Sequence, residues 1–389
     1  MDQEVRYGRQ MRILVVGAGV AGLSLALHLR QRGFAPDVIH SGAEPSHGSR
    51  GSEAALIAPP AAGVLIGLGC FDEFLATAAP MDALRILDHT GREIRTIDLA
   101  RYFERYGGGF VTTRGGLHAL LAERAGPVLA AVGTNRIEQD EAGVDVALSD
   151  GTERRYDLVV AADGLRSAVR EQMFGPVELT FWDGRAWWFS LEPGLGLTPA
   201  TTEIWGPGRF AGFYESPGAT HCLLAAPAKE DDVDPVGERR DRIQTLFGDL
   251  GGPMPDVLER LPEPEAIGGD LLYDLRLDRW ARGRVALIGD AAHATIPVVG
   301  LGDGMALVSS AVLASQVARA DSRHLEIAWS YYIQRRKRRV DIVQDRARER
   351  FSMLSVRHRL AAWTRNEILK ATSDEWFLSG WDELLRRPI

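Results

Sequence analysis

Cysteine is almost missing from this chain: Cys70 and Cys222 are the only two in 389 residues. Two such thiols form no disulfide framework and lack metal-ligand spacing, so both read as buried packing residues and no metal site is expected. Lysine is nearly as scarce, with Lys229, Lys337 and Lys370 the only three among 45 basic residues. Surplus positive charge is also lacking. A net charge of −8 argues against nucleic acid as the main partner. No apolar run approaches the roughly 18 residues a membrane span needs. The opening MDQEVRYGRQMR is charged and no apolar signal core follows it, which points to the cytoplasm. Repeats and low-complexity tails are absent. What is there is ordinary for a globular protein, 45% hydrophobic and 25% charged, and the length allows one large domain or two to three smaller ones.

The most informative stretch is Arg284 to Gly304, RVALIGDAAHATIPVVGLGDG. Val285 to Ile288 reads as a short buried strand, Gly289-Asp290 breaks it, and Ala291-Ala292-His293 leads into an irregular segment holding Pro297. Gly300, Gly302 and Gly304 follow, and a helical pattern runs on from Met305. An acid at a strand's carboxyl end can accept hydrogen bonds from sugar-like hydroxyls. Glycine amides at a helix start can face an anion, because the first N–H groups lack partners and the dipole is positive there. His293 reads as a structural hydrogen bonder rather than an acid or base.

Near the amino end, Arg12 to Val16 forms a buried strand running into Gly17-Ala-Gly19-Val-Ala21-Gly22 and a helix ending at Gly33. Strand, GxGxxG and helix in one unit read as a dinucleotide-phosphate site. Gly17 makes the turn, Gly19 admits a pyrophosphate, and Gly22 lets helix and strand approach. A second strand, Pro36 to Ile39, leads to His40 where a ribose-binding acid is usual, with Glu44 as a substitute. Residues 42–63 read as a Gly/Ser/Ala/Pro-rich loop around Arg50. Residues 64–78 predict one helix, and 83–98 a hairpin turning at Thr90-Gly91. Arg114 opens a further helix, either as a surface charge or as a ligand for a phosphate or ring edge.

Residues 127–160 supply short strands, with a hairpin at Asp150-Gly151. The last ends in Ala-Ala-Asp163-Gly164, a second carboxylate-glycine pair before a helix; the plainer reading is a capped junction. Between 177 and 270 aromatics crowd into strand-like segments, predicting an antiparallel sheet whose inner face roofs a planar ligand. Trp188, Trp205 and Phe213 are the candidate substrate contacts. Residues 235–261 read as helical and surface-exposed. The run Arg335-Arg336-Lys337-Arg338-Arg339 lies in a long amphipathic pattern over 325–352 and reads as a solvated face with local ion pairs.

Three elements in fixed order, GAGVAG, AADGLRSAVR and ALIGDAAHATIPVVGLG, together resemble the single-component FAD-dependent aromatic hydroxylases typified by para-hydroxybenzoate hydroxylase. The resemblance covers about residues 11–350. It implies an α/β fold: a Rossmann-type FAD-binding domain (11–80, 101–176, 271–320), an inserted, mostly antiparallel substrate domain (81–100, 177–270) and C-terminal helices (321–389). It implies that Gly17, Gly19, Ala21 and Gly22 hold the FAD pyrophosphate, with His40 and Arg50 nearby. Asp163 and Gly164 belong to its shared FAD/NAD(P)H motif, Gly289 and Asp290 reach the ribitol, and Arg114 lies near the flavin. Pro297 flanks the reacting edge of the ring, and Gly300, Gly302, Asp303 and Gly304 line its pyrimidine side. The implied reaction uses NAD(P)H and O2 to hydroxylate an aromatic or polycyclic molecule through a flavin hydroperoxide, with secondary metabolism as one setting. Epoxidation, Baeyer–Villiger insertion, reduction, or flavin binding without turnover are the rival outcomes. Three positions depart from the pattern: His40, Gly304 where asparagine is usual, and Val308-Ser309 where an acidic pair is usual.

Overall fold

The computed structural model describes residues 11–42, 51–104, 106–197, 201–379 and 381–385. Arg50 and Glu44 lie outside them. Short β-branched runs form a six-stranded sheet in the order Ala281–Arg282, Val285–Leu287, Leu158–Ala161, Ile13–Val16, Asp37–His40, Leu129–Ala130. All its pairings are parallel except that of the first two strands. Ile13–Val16 and Leu158–Ala161 are buried throughout, as strands covered on both faces must be. Helices Val20–Gln31 and Gly302–Val317 pack on this sheet and touch through Ser24 Oγ and Ser310 Oγ, 2.6 Å apart.

A second sheet has seven strands, ordered Gly268–Asp274, Thr180–Leu191, Ala219–Pro227, Phe210–Ser216, Thr201–Trp205, Ala83–Asp88, Glu93–Asp98. It is antiparallel except where Thr201–Trp205 runs parallel to Ala83–Asp88. The 83–98 hairpin therefore joins the sheet built from the 177–270 region. Period-two alternation gives this sheet two apolar faces. Trp188, Trp205 and Tyr214 face the 296–301 segment and the C-terminal helices, while Trp187, Phe189 and Phe213 face outward.

Four expectations need correction. Residues 235–261 are not simply exposed: helices Arg239–Phe247 and Met254–Glu259 bury Ile243, Phe247, Met254 and Val257 against the sheet's outer face. The helix expected over 64–78 is two, Pro59–Leu68 and Phe71–Thr77, broken at Gly69 by a left-handed φ of 70°. Residues Asp290–His293 form one helical turn ahead of the segment that holds Pro297, and the next long helix starts at Gly302, not Met305. Finally, the basic run is not wholly solvated. Arg336 is 2% exposed inside helix Leu325–Leu354, while its neighbour Lys337 makes the expected surface pair with Asp341 at 3.1 Å.

Candidate active site

Strands Ile13–Val16, Leu158–Ala161 and Val285–Leu287 are neighbours, so the turns that leave their carboxyl ends meet at one edge of the sheet. The contact is tight. A Cβ on Gly17 (φ 108°) would lie 2.3 Å from the Ala162 carbonyl oxygen, and one on Gly22 would lie 1.8 Å from the Gly17 oxygen. The third turn closes on the first, since a Cβ on Gly289 would meet the Ala21 methyl at 2.8 Å. Gly19 differs: nothing lies within 4 Å of its would-be Cβ. It is the N-cap of helix Val20–Gln31, and no side chain caps that helix. Protein packing thus requires glycine at 17 and 22, whereas at 19 the open space and uncapped amides suit a phosphate group.

The second carboxylate-glycine pair behaves differently. Asp163 accepts from the Ser167 hydroxyl at 2.5 Å and from the Val169 amide at 3.2 Å, so both oxygens serve the start of helix Ala168–Phe174. Burial pushes its carboxyl pKa up against those hydrogen bonds. The helix's own N-cap is Ser167, whose hydroxyl accepts from the Arg170 amide at 3.0 Å, and Gly164 follows Asp163 with a φ of 85° and open space around it. His40 ends the strand Asp37–His40 half-buried, and its carbonyl accepts from the Val132 amide at 2.9 Å.

Arg114 lines a cleft together with Glu53, Asp290 and Asp303. It begins helix Arg114–Ala125, whose Thr113 cap accepts from the Gly116 amide at 2.9 Å. Its amide donates to the Glu53 carbonyl at 2.8 Å, clamping the preceding loop. Its guanidinium lies 3.6 Å from Glu53, 3.7 Å from Asp290 and 3.7 Å from Asp303. Asp303, then Glu53 and Asp290, hold its proton more tightly than usual against the effect of burial. Three carboxylates around one cation leave the cluster with a formal charge of −2. Two buried oxygens among the cleft's lining residues lack a full partner: Thr295 Oγ1 has no hydrogen bond, and Glu53 Oε2 has only the 3.6 Å ion pair with Arg114. Such orphans suit the hydroxyl and N–H groups of a bound flavin nucleotide.

Pro297 and Gly300 line the same cleft, as do Gly302 and Trp188. The 3₁₀ turn Pro297–Val299 ends at Gly300 with a φ of 68°, and the Leu56 amide donates to its carbonyl at 2.9 Å. Gln344 anchors the segment from below, donating to the carbonyls of Leu275 at 2.7 Å and Ala294 at 2.9 Å. Helix Gly302–Val317 follows without a side-chain cap, so the first N–H groups at Gly302, Asp303 and Gly304 favour negative charge beside them. His293 faces away from the cleft, its Nε2 3.1 Å from Ser309 Oγ and its ring 5.1 Å from Trp280. Burial lowers its pKa to about 4. It is structural.

A family model described as an FAD binding domain matches residues 10–191 and 272–347. The aurachin C monooxygenase/isomerase of Stigmatella aurantiaca is 30% identical, over 78% of this chain and 80% of its own. The FAD-dependent urate hydroxylase of Klebsiella pneumoniae is 27% identical, over 97% of this chain and all of its own. The chain belongs to the single-component FAD-dependent aromatic monooxygenases. Its fold also superimposes on the solved K. pneumoniae HpxO complexed with FAD and uric acid, with a TM-score of 0.88 at 24% identity, covering 97% of both chains. FAD is accordingly the cofactor of this monooxygenase and NAD(P)H its electron donor.

Within the monooxygenase, the substrate candidates separate. Trp188 reaches the cleft. Trp205 is fully buried and donates Nε1–H to Glu203 at 2.9 Å, which makes it a support behind the inner face. Phe213 is displaced to the outer face with Ile243 and Phe247, because strand periodicity turns it away when Tyr214 points in. Phe213 is a core residue on the wrong side of the sheet. Glu53, Thr295 and Tyr273 line the cleft unforeseen. Glu53 sits beside a loop with no motif, and only its ion pair with Arg114 across more than sixty residues reveals it.

Proposed function

We propose that the isoalloxazine ring occupies the cleft between Arg114 and the sheet. Its phosphates lie over Gly19, and the substrate is an aromatic or heteroaromatic small molecule admitted beside Pro297. The observation that carries this reading is the gap over Gly19 in a glycine turn otherwise closed by backbone, on the edge where Asp290 and Arg114 also converge.

When bound, FAD supplies the chemistry of hydride acceptance and oxygen activation. The chain's own residues bind and orient. Amides of Gly302 to Gly304 offer their helix-end dipole to negative charge on the ring, preorganised and without reorganisation cost. Arg114 offsets part of the charge of Glu53, Asp290 and Asp303, so that these acids can accept hydrogen bonds close to an electron-rich ring. Gln344 and Leu56 hold the turn around Pro297 in place, and the apolar sheet face excludes water from the reacting side. No side chain of the cleft is assigned as an essential acid or base.

Among the described residues no helix is long and apolar enough to cross a membrane. With both cysteines free and buried, the cytoplasm suits this enzyme. The test is to incubate FAD-loaded protein with NADH or NADPH under ¹⁸O2 and a panel of phenols, quinolones and indoles. Substrate-stimulated flavin reduction and one ¹⁸O atom per product are expected. A flavin that stays oxidised with both nicotinamides refutes the reading.

A further inference from the structure

Helix Leu325–Leu354 carries the Arg336 side chain into the interior, against the first turns of helix Gly302–Val317. Its Nε donates to Ser309 Oγ at 3.2 Å, and its Nη2 lies 3.4 Å from the Met305 carbonyl oxygen and 3.6 Å from the Met305 sulfur. The ionisable groups around it are His293, Tyr332 and Arg339. Burial keeps His293 neutral and pushes the Tyr332 hydroxyl above its ordinary value, so neither supplies a counter-charge. Arg339 adds positive charge. Burial lowers the pKa of Arg336 only to about 10, which leaves it charged at neutral pH. Among the described residues no carboxylate reaches it. An acid is usual at position 309 in this family, and Ser309 can accept the hydrogen bond but cannot neutralise the cation.

Met305 and Ser309 share one face of the helix, whereas Asp303 lies about 200° round from Met305. Asp303 lines the cleft and pairs with Arg114, so Arg336 approaches the helix from behind. On the cleft side three carboxylates outweigh Arg114. Arg336 supplies opposing charge across a small, mostly apolar cavity that it lines together with Gly304 and Met305. At 1.5 Å per residue, Ser309 is about 10 Å along the axis from Gly302. A unit charge at about that distance, in an effective dielectric of about 20, shifts a charge-forming equilibrium roughly 15-fold. Its sign matches that of the helix dipole at this end.

Hydride transfer from NAD(P)H adds two electrons and one proton to a flavin ring, leaving it with one negative charge and releasing NAD(P)⁺. We propose that Arg336, left unpaired because position 309 is serine, holds FAD more tightly in this reduced, anionic form and so raises its reduction potential through the start of helix Gly302–Val317. The proposal rests on the flavin reading above and adds a residue outside the cleft to it. Arg336 is a positioning residue, acting through the field at the helix end.

The experiment measures midpoint potentials of the FAD-loaded wild type, Ser309→Asp, Ser309→Asn and Arg336→Met by anaerobic titration against a reference dye. It is run at about pH 8, well above the ordinary histidine pKa. Ser309→Asp keeps Arg336 and cancels its charge. The ratio of affinities for reduced and oxidised FAD should fall about tenfold relative to the wild type and Ser309→Asn, a midpoint about 30 mV lower for the two-electron couple. Arg336→Met should shift it in the same direction, and decides the matter should Ser309→Asp fail to fold. A merely structural role would change the affinities for both redox forms together and leave their ratio alone. A ratio within twofold of the wild type in Ser309→Asp overturns the proposal, as does a shift in Ser309→Asn as large as that in Ser309→Asp. Failure of the wild type to take up FAD would instead defeat the flavin reading, before any potential is measured.

Discussion

Gly19→Ala separates what the fold needs from what the cofactor needs. Gly19 has φ −76° and ψ −175°, extended backbone that alanine adopts freely, and its new methyl group would meet no atom within 4 Å. Alanine is a slightly poorer N-cap than glycine but restricts the unfolded chain, so the apoprotein should change by no more than about 1 kcal/mol. FAD binding should change far more. A methyl group in the gap pushes the pyrophosphate off the uncapped amides, and losing one hydrogen bond to a charged group costs about 1.5–3 kcal/mol. That corresponds to a Kd about 10- to 150-fold higher. Gly17→Ala and Gly22→Ala are the controls, because their Cβ atoms would strike backbone at 2.3 Å and 1.8 Å and should impair folding itself. Circular dichroism of the apoproteins and flavin fluorescence quenching give the two quantities. A Gly19→Ala protein that binds FAD within twofold of the wild type refutes the placement of the phosphates, and one whose apoprotein loses several kcal/mol refutes the reading of the gap.

Further outcomes follow from buried groups. His28, His221 and His293 are all lowered to about 4, chiefly by burial. Between the unfolded value near 6.5 and about 4 the unfolded chain binds protons that the native histidines refuse. Stability should therefore fall as pH drops through that window, by up to about 1.4 kcal/mol per pH unit for each histidine; a flat unfolding free energy from pH 7 to 5 contradicts this. Ser309, fully buried, meets both His293 and Arg336 Nε, the latter at 3.2 Å, and burial lowers the Arg336 pKa to about 10 with no carboxylate among the described residues opposing it. Ser309→Asp should stabilise by about 1.5–3 kcal/mol through a charged hydrogen bond and raise the His293 pKa; a lower Tm refutes it. Phe213→Ala should cost about 3–5 kcal/mol of stability while leaving kcat/KM of the folded enzyme unchanged, since its ring packs on the outer face. A substrate-dependent loss of kcat/KM would return Phe213 to the site.

Local chemistry carried much of the outcome. The glycine spacing of GAGVAG follows from what a strand-to-helix turn permits, and it is legible because Gly22 answers to the Gly17 backbone within the same turn, although Gly17 itself answers to the distant Ala162. The acid-glycine ends of two more strands are legible as local patterns, and the Asp163 carboxylate also accepts from Ser167 and Val169 at the start of the following helix. The sheet was visible as strand-like segments crowded with aromatics, yet which of them look inward was not. A period of two leaves parity undetermined until another element covers one side, and helices Arg239–Phe247 and Met254–Glu259 covered the side that holds Phe213. Arg336 looked like any other member of a basic run because its burial comes from the helix that begins at Gly302, not from its neighbours. Arg114 with Glu53, Asp290 and Asp303, and Glu203 with Arg350, join residues from 61 to 189 positions apart. Short-range sequence rules describe bonds that close within a turn or two; charges that meet only when whole layers stack are decided by the tertiary structure alone.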